Sequence, residues 1–259
     1  MLSLLLAHVA GVLLATAIPQ DPASVKELAA KSQMVLRATV KVMNSSTVSA
    51  DDTSNLAVVR LDELVSGPPV MKAYVGKDIT VRLVSKDVKE GEERVFFANS
   101  WMFGDSVGVA EVGSFRPTAN AASGAQTLSQ TVGDARAAAA DQQLKSRLDR
   151  ADLVVVGKVV AVRTSPRTRV TEHDPQWSEA DIEVGQVLKG NAQGRVTIAY
   201  PASNDVMWYK TPKPKEGQDG VFLLNGGVQG VAAGRLAVAE PQAILPVAEA
   251  TRIRTLLGR

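Results

Sequence analysis

The sequence predicts a mainly β protein built as two tandem copies of a small five-stranded barrel, with helices flanking each copy. Three observations point there. The stretch Lys89-Glu90-Gly91-Glu92-Glu93-Arg94-Val95-Phe96-Phe97-Ala98-Asn99 reappears as Lys215-Glu216-Gly217-Gln218-Asp219-Gly220-Val221-Phe222-Leu223-Leu224-Asn225, with charged turn, glycine and apolar run in the same order. Around both copies, short runs rich in β-branched residues recur in matching succession. The period is about 120 residues, which marks a duplicated domain and not a solenoid array.

In the first copy, Ser24 followed by Glu27 is a capping-box pattern and predicts a short helix over Val25–Lys31. Met34–Val42 alternates in its second half and is rich in β-branched residues, which predicts the first strand. Asn44–Asn55 is polar and is expected to be a loop. Leu56–Val65 is the second strand, closed by Ser66-Gly67-Pro68-Pro69. Ile79–Val84, Val95–Ala98 and Val107–Val112 are expected as the third, fourth and fifth.

The second copy repeats the series. A helix is expected over Ala137–Arg150, then strands over Leu153–Val162, Ala180–Leu188, Val196–Tyr200, Val221–Leu224 and Leu236–Glu240, and a closing helix over Val247–Leu257. Lys189-Gly190 closes the second of these strands where the first copy has Ser66-Gly67, and Val238-Ala239-Glu240 echoes Val109-Ala110-Glu111. The Ala-, Ser-, Thr- and Gln-rich stretch 118–140 reads as a linker that turns helical towards its end. The expected organisation is therefore a leader at 1–17, barrel one at 21–117, the linker at 118–140, and barrel two with a C-terminal helix at 141–259. Five short strands suit a small antiparallel barrel of the OB type, whereas a β-sandwich normally needs about seven.

The first 17 residues form an apolar run ending in Ala15-Thr16-Ala17, without Lys or Arg before it. That run is shorter than the roughly 20 residues of a membrane span and fits a cleaved secretory signal, so the mature chain is expected to begin at Ile18 in a periplasmic or secreted setting. Cysteine is absent, which excludes disulfide stapling, thiol catalysis and Cys-based metal sites. With 29 basic and 27 acidic residues the net charge is +2, too small a field to point to nucleic acid.

The phrases Ala151-Asp152-Leu153-Val154-Val155-Val156-Gly157-Lys158-Val159, Ile182-Glu183-Val184-Gly185-Gln186-Val187-Leu188-Lys189-Gly190, and Glu216-Gly217 leading into Val221-Phe222-Leu223-Leu224 resemble the netrin/TIMP-like OB-fold. That group includes the tissue inhibitors of metalloproteinases and many bacterial exported proteins. The resemblance covers most of Asp141–Glu240 and extends to Ser32–Val112. It implies the barrel fold and an inhibitor-like or binding role. The inhibitors chelate their target's zinc through an N-terminal cysteine; this chain departs from that pattern, with Ile18-Pro19 at its expected mature start and no cysteine.

Candidate chemistry is sparse. Gly104-Asp105-Ser106-Val107-Gly108 has the G-x-S-x-G spacing of a nucleophile elbow, but it leads into a strand where the elbow needs a helix, and is expected to be a β-turn. Glu172-His173-Asp174, with Glu179 nearby, has metal-ligand residue types, yet consecutive residues of one polar loop converge poorly and no metal is expected. Walker A, G-x-G-x-x-G and H-E-x-x-H patterns are absent. Asn44-Ser45-Ser46 fits the glycosylation sequon of a eukaryotic secretory pathway. Tyr209-Lys210-Thr211-Pro212-Lys213-Pro214-Lys215 reads as a stiff exposed loop. Trp101, Trp177, Trp208 and Tyr209 fall in or beside loops and are the candidate partner contacts. The expectation is a non-enzymatic binding module without cofactor, directed at a protein or cell-envelope component and not at nucleic acid. A structural role in envelope assembly is the alternative, and a carboxylate-dependent hydrolase ranks below it.

Overall fold

The computed structural model describes residues 22–103, 106–117, 121–164, 175, 177–203 and 205–258. The leader 1–17, Gly104-Asp105 and the Glu172-His173-Asp174 loop lie outside the described residues. The chain divides into two compact units, Met1–Ala139 and Ala140–Arg259.

In the first unit, helix α1 (Pro22–Lys31) precedes strands β1 (Met34–Met43), β2 (Leu56–Ser66), β3 (Asp78–Arg82), β4 (Glu93–Phe103) and β5 (Val107–Phe115), with a 3₁₀ turn at Pro69–Tyr74. The helix starts three residues ahead of the expected position. Proline tolerates the first helical position because its fixed φ suits the helix and its missing N–H is not needed there. Glu27 then takes Lys31 as its partner at 2.6 Å, one turn on.

The strands close into a barrel in the order β1-β2-β3-β5-β4. Only the β3–β5 pairing is parallel. The apolar run Val95-Phe96-Phe97-Ala98 is continuous because both faces of β4 are covered. Phe96 and Ala98 point into the barrel with Leu36, Val59 and Ile79. Val95 and Phe97 point the other way, against Val25 and Ala29 of α1 and Val132 of a second helix, α2 (Ala121–Arg150).

That helix absorbs most of the stretch expected to be a linker, and the division between the units falls within it. In the second unit follow β6 (Leu153–Thr164), β7 (Trp177–Lys189), β8 (Arg195–Pro201), β9 (Asp219–Leu224), β10 (Leu236–Ala237) and β11 (Ile244–Leu245). A 3₁₀ turn at Val247–Glu249 and helix α3 (Ala250–Leu256) end it. Here too the two faces separate. Phe222 and Leu224 pack inward with Val155 and Ile198, while Val221 and Leu223 pack against Leu148 and Ile253.

The sheet of this unit runs β10-β8-β7-β6-β9-β11 and is a curled half-barrel of six strands, where a closed or nearly closed barrel of five was expected. The expected strand Leu236–Glu240 is reduced to the two residues of β10. Pro241 has no N–H for a ladder, and Gln242 adopts φ 59°, so the chain leaves the sheet before returning as β11. A single bridge, Asn225 with Ala237, links the end of β9 to β10.

The pairings of the two units run in step. β1 and β2 pair Val35 with Ser66, Leu36 with Leu64, Ala38 with Leu61 and Val40 with Val59. β6 and β7 pair Val154 with Lys189, Val155 with Val187, Gly157 with Val184 and Val159 with Ile182. Each ladder is interrupted at three bulges: between Val35/Leu36, Arg37/Ala38 and Val40/Val42 in one, and between Val154/Val155, Val156/Gly157 and Val159/Ala161 in the other. The glycine turns behave alike. Gly91 donates its N–H to the Val40 carbonyl at 2.9 Å, and Gly217 donates to that of Val159 at 2.8 Å.

Candidate functional site

The residues with most to offer a partner lie in the second unit, where the chain leaves β8. Pro201 is the last residue of that strand. Beyond it, Ser203 Oγ accepts the Asp205 N–H at 3.1 Å, and Asp205 Oδ1 accepts the Met207 N–H at 3.0 Å. The Asp205 carbonyl receives the N–H groups of Trp208 and Tyr209, both at 2.8 Å. Short polar side chains that bond their own backbone favour such a turn over continued strand. The exit is held by Lys213, whose Nζ donates to the carbonyls of Trp208 and Thr211 at 2.8 Å each. Desolvation there pushes the Lys213 ammonium below its ordinary pKa.

The turn is fastened to the sheet by two tryptophans. Trp177, at the start of β7, is only 6% exposed and packs with Ala199 and Ala237. Trp208 meets it edge to face, with ring centroids 5.8 Å apart and planes at 66°. Such aromatic pairs contribute about 0.5–1.5 kcal/mol beyond their buried area. Gly230, at φ 81°, passes so close that a Cβ there would lie 2.9 Å from Trp177 Nε1.

With Trp208 turned inward, its neighbours turn outward. Val206 is 79% exposed, Met207 71% and Tyr209 57%. Lys210 is exposed, and its Nζ lies 5.5 Å from the Tyr209 ring centre. The result is a knuckle with a fixed backbone and an apolar tip.

Of the four aromatic candidates, Trp177, Trp208 and Tyr209 therefore gather at one loop cluster, with Tyr209 outward and Trp177 in the core. Trp177 lies on a strand because its side chain completes a buried cluster, which no local pattern announces. Trp101 belongs to the first unit and lies on β4, half-buried, with the Arg82 guanidinium 4.9 Å above its ring. Val206 and Met207 escaped the sequence reading. The signal available was an apolar pair between Asp205 and Lys210 without strand or helix period.

The polar groups that the sequence offered for catalysis and that the structure describes are engaged internally. The Ser106 hydroxyl donates to Thr47 Oγ1 at 2.7 Å, and Thr47 Oγ1 lies 2.9 Å from Thr80 Oγ1. Ser106 enters β5, so no helix follows it. Glu179 and Asp181 share a face of β7, and both meet Arg163, whose guanidinium bonds Asp181 at 2.6 and 2.8 Å. Arg235 adds a second cation 3.4 Å from Glu179. The Arg163 hydrogen bonds, with Thr197 helping, hold the Asp181 carboxyl down at about 2. A carboxyl so acidic is ionised at neutral pH and has no proton to give as a general acid. Among the described residues no group of three or more metal-ligating side chains comes together, and no helix is long and apolar enough to cross a membrane. No protein-family model and no curated protein matches the sequence.

Proposed function

We propose that this protein is an exported, non-enzymatic binding module that engages a cell-envelope component through the knuckle at Asp205–Thr211. The observation that carries this reading is the exposure of Val206, Met207 and Tyr209 on a turn whose backbone is already fixed. A pre-ordered contact loses little conformational entropy on binding, so its apolar area counts towards affinity. A spacer in envelope assembly has no use for such a tip.

The same reading takes the two units as copies of one OB-like barrel of the netrin/TIMP-like kind. The matched pairings and the three matched bulges support common descent, since bulges are family features and not accidents. Even the Asn225–Ala237 bridge has its counterpart in Asn99 with Ala110, which sets Ala237, two residues before the Ala239 of the sequence echo, against Ala110. On this view β10 and β11 are β5 split by an insertion, which leaves the second unit half closed. Export rests on the leader ending at Ala15-Thr16-Ala17.

The test is site-specific photocrosslinking in cells that produce the full chain. A photoreactive residue replaces Met207, with the exposed Lys41 of β1 as control. An adduct formed from position 207 and not from position 41, whether lipid or protein, is the expected result. Equal labelling from both, or none from position 207, would overturn the assignment.

A further inference from the structure

We propose that the knuckle's partner is the interface of an anionic phospholipid bilayer, with Val206, Met207 and Tyr209 entering the headgroup and upper acyl region and Lys210 remaining among the phosphates. This rests on the reading of Asp205–Thr211 as the binding site.

Size argues first. A stable protein interface buries roughly 800 Å² on each partner, drawn from about 20–30 residues a side. Three protruding side chains fall far short of that. For shallow insertion into a membrane they suffice, because depth and not breadth decides how much apolar area leaves water.

The backbone argues second. Inside a bilayer, a polar group without a partner is severely destabilising, so an inserting turn must satisfy its own. The N–H groups of Met207, Trp208 and Tyr209 all have acceptors within the turn, supplied by Asp205. The carbonyls of Trp208 and Thr211 are met by the Lys213 ammonium, a partly buried cation otherwise hard to explain on a loop. These backbone groups are thus satisfied before any insertion, whereas the Trp208 indole N–H is buried without a hydrogen-bond partner.

The side chains argue third. Tyrosine has an apolar ring and a polar hydroxyl and favours the headgroup level. Lys210 lies beside the Tyr209 ring, and Lys215 is exposed five residues on, so the cations flank the apolar tip. Asp205 accepts the Met207 N–H, and over 205–216 the three lysines Lys210, Lys213 and Lys215 outnumber the two carboxylates Asp205 and Glu216. An apolar tip with flanking lysines is complementary to negatively charged lipid, with each lysine near the surface adding about fivefold in partitioning.

Flotation of the full chain with vesicles decides the matter. The vesicles are phosphatidylcholine with phosphatidylglycerol at three to one, compared with phosphatidylcholine alone. The wild type is expected to float with the anionic vesicles and to be released by salt. M207S/Y209S should lose at least about tenfold in partitioning, and K210E at least about fivefold with a shallower salt dependence. All three substituted residues are exposed, and unchanged circular dichroism and thermal midpoints establish that each variant is folded. No flotation of the wild type, or equal flotation of M207S/Y209S, would overturn the proposal. Crosslinking from position 207 to protein alone would also overturn it while leaving the binding role standing. The absence of any adduct from that position would remove both.

Discussion

Phe222 has no accessible surface and occupies the centre of the second unit's core, as Phe96 does in the first. Truncation to Ala removes the ring's transfer energy and leaves a cavity that a sheet cannot collapse to fill. Phe222→Ala should therefore cost about 3–5 kcal/mol, read as a lower urea midpoint with little change in slope. A neutral result would mean that the ring is not where the register puts it. Asp181 makes a prediction about acid. Its carboxyl lies at about 2 in the fold, held down by the Arg163 hydrogen bonds, against about 3.9 in the unfolded chain. Below about pH 4 the unfolded chain takes up a proton that the folded one resists, so this stabilisation is complete above that pH and fades towards pH 2. Asp87, lowered by its bond to Arg94, contributes with the same sign. The gap in thermal midpoint between wild type and Asp181→Asn should thus be widest near pH 5 and narrow steadily by pH 2. A gap independent of pH would show that Asp181 acts by packing and not by charge.

At the level of strands, the bulges decide which face each side chain takes. Between Val156 and Gly157 the ladder slips, and Gly157 is pressed onto β7, where a Cβ would lie 2.5 Å from the Glu183 carbonyl oxygen and 2.7 Å from Ile182 Cγ2. Gly157→Ala must push the two strands apart and should cost about 1–3 kcal/mol by equilibrium denaturation. Unaltered stability would imply that the strands relax freely. The corresponding pairing position of the first unit carries Ala38. Most strands were legible in the sequence because their apolar residues follow the pleat and their turns are marked by Gly91 and Gly217. Their ends were less so. β4 runs on to Phe103 and β7 starts at Trp177, because cross-strand partners continue past the apolar run. The 3₁₀ turn at Val247–Glu249 replaces the first turn of the expected closing helix.

Across the whole chain, each unit has its own core. The first is built on Leu36, Val59 and Phe96, the second on Val155, Ile182 and Phe222. Scanning calorimetry should therefore respond to Phe96→Ala and Phe222→Ala by shifting different parts of the endotherm. If both variants displaced one and the same sharp transition equally, the units would have to unfold together. The sequence by itself determined the mainly β character, the two stretches of repeated turn and strand, and the placing of Phe96 and Phe222 on strands, since apolar runs and turn chemistry are local and survive in one dimension. It also picked out Tyr209–Lys215 as an exposed loop with Trp208 beside it. Which of Phe96 and Phe97 faces the barrel was decided by the tertiary structure. Only the tertiary structure decided that the second sheet stays half open, that the expected linker is helical from Ala121, and that Trp208 folds onto Trp177 while Val206 and Met207 face outward. Each of these turns on which surface a residue meets across the fold, and that depends on partners distant in sequence whose identity no local pattern encodes.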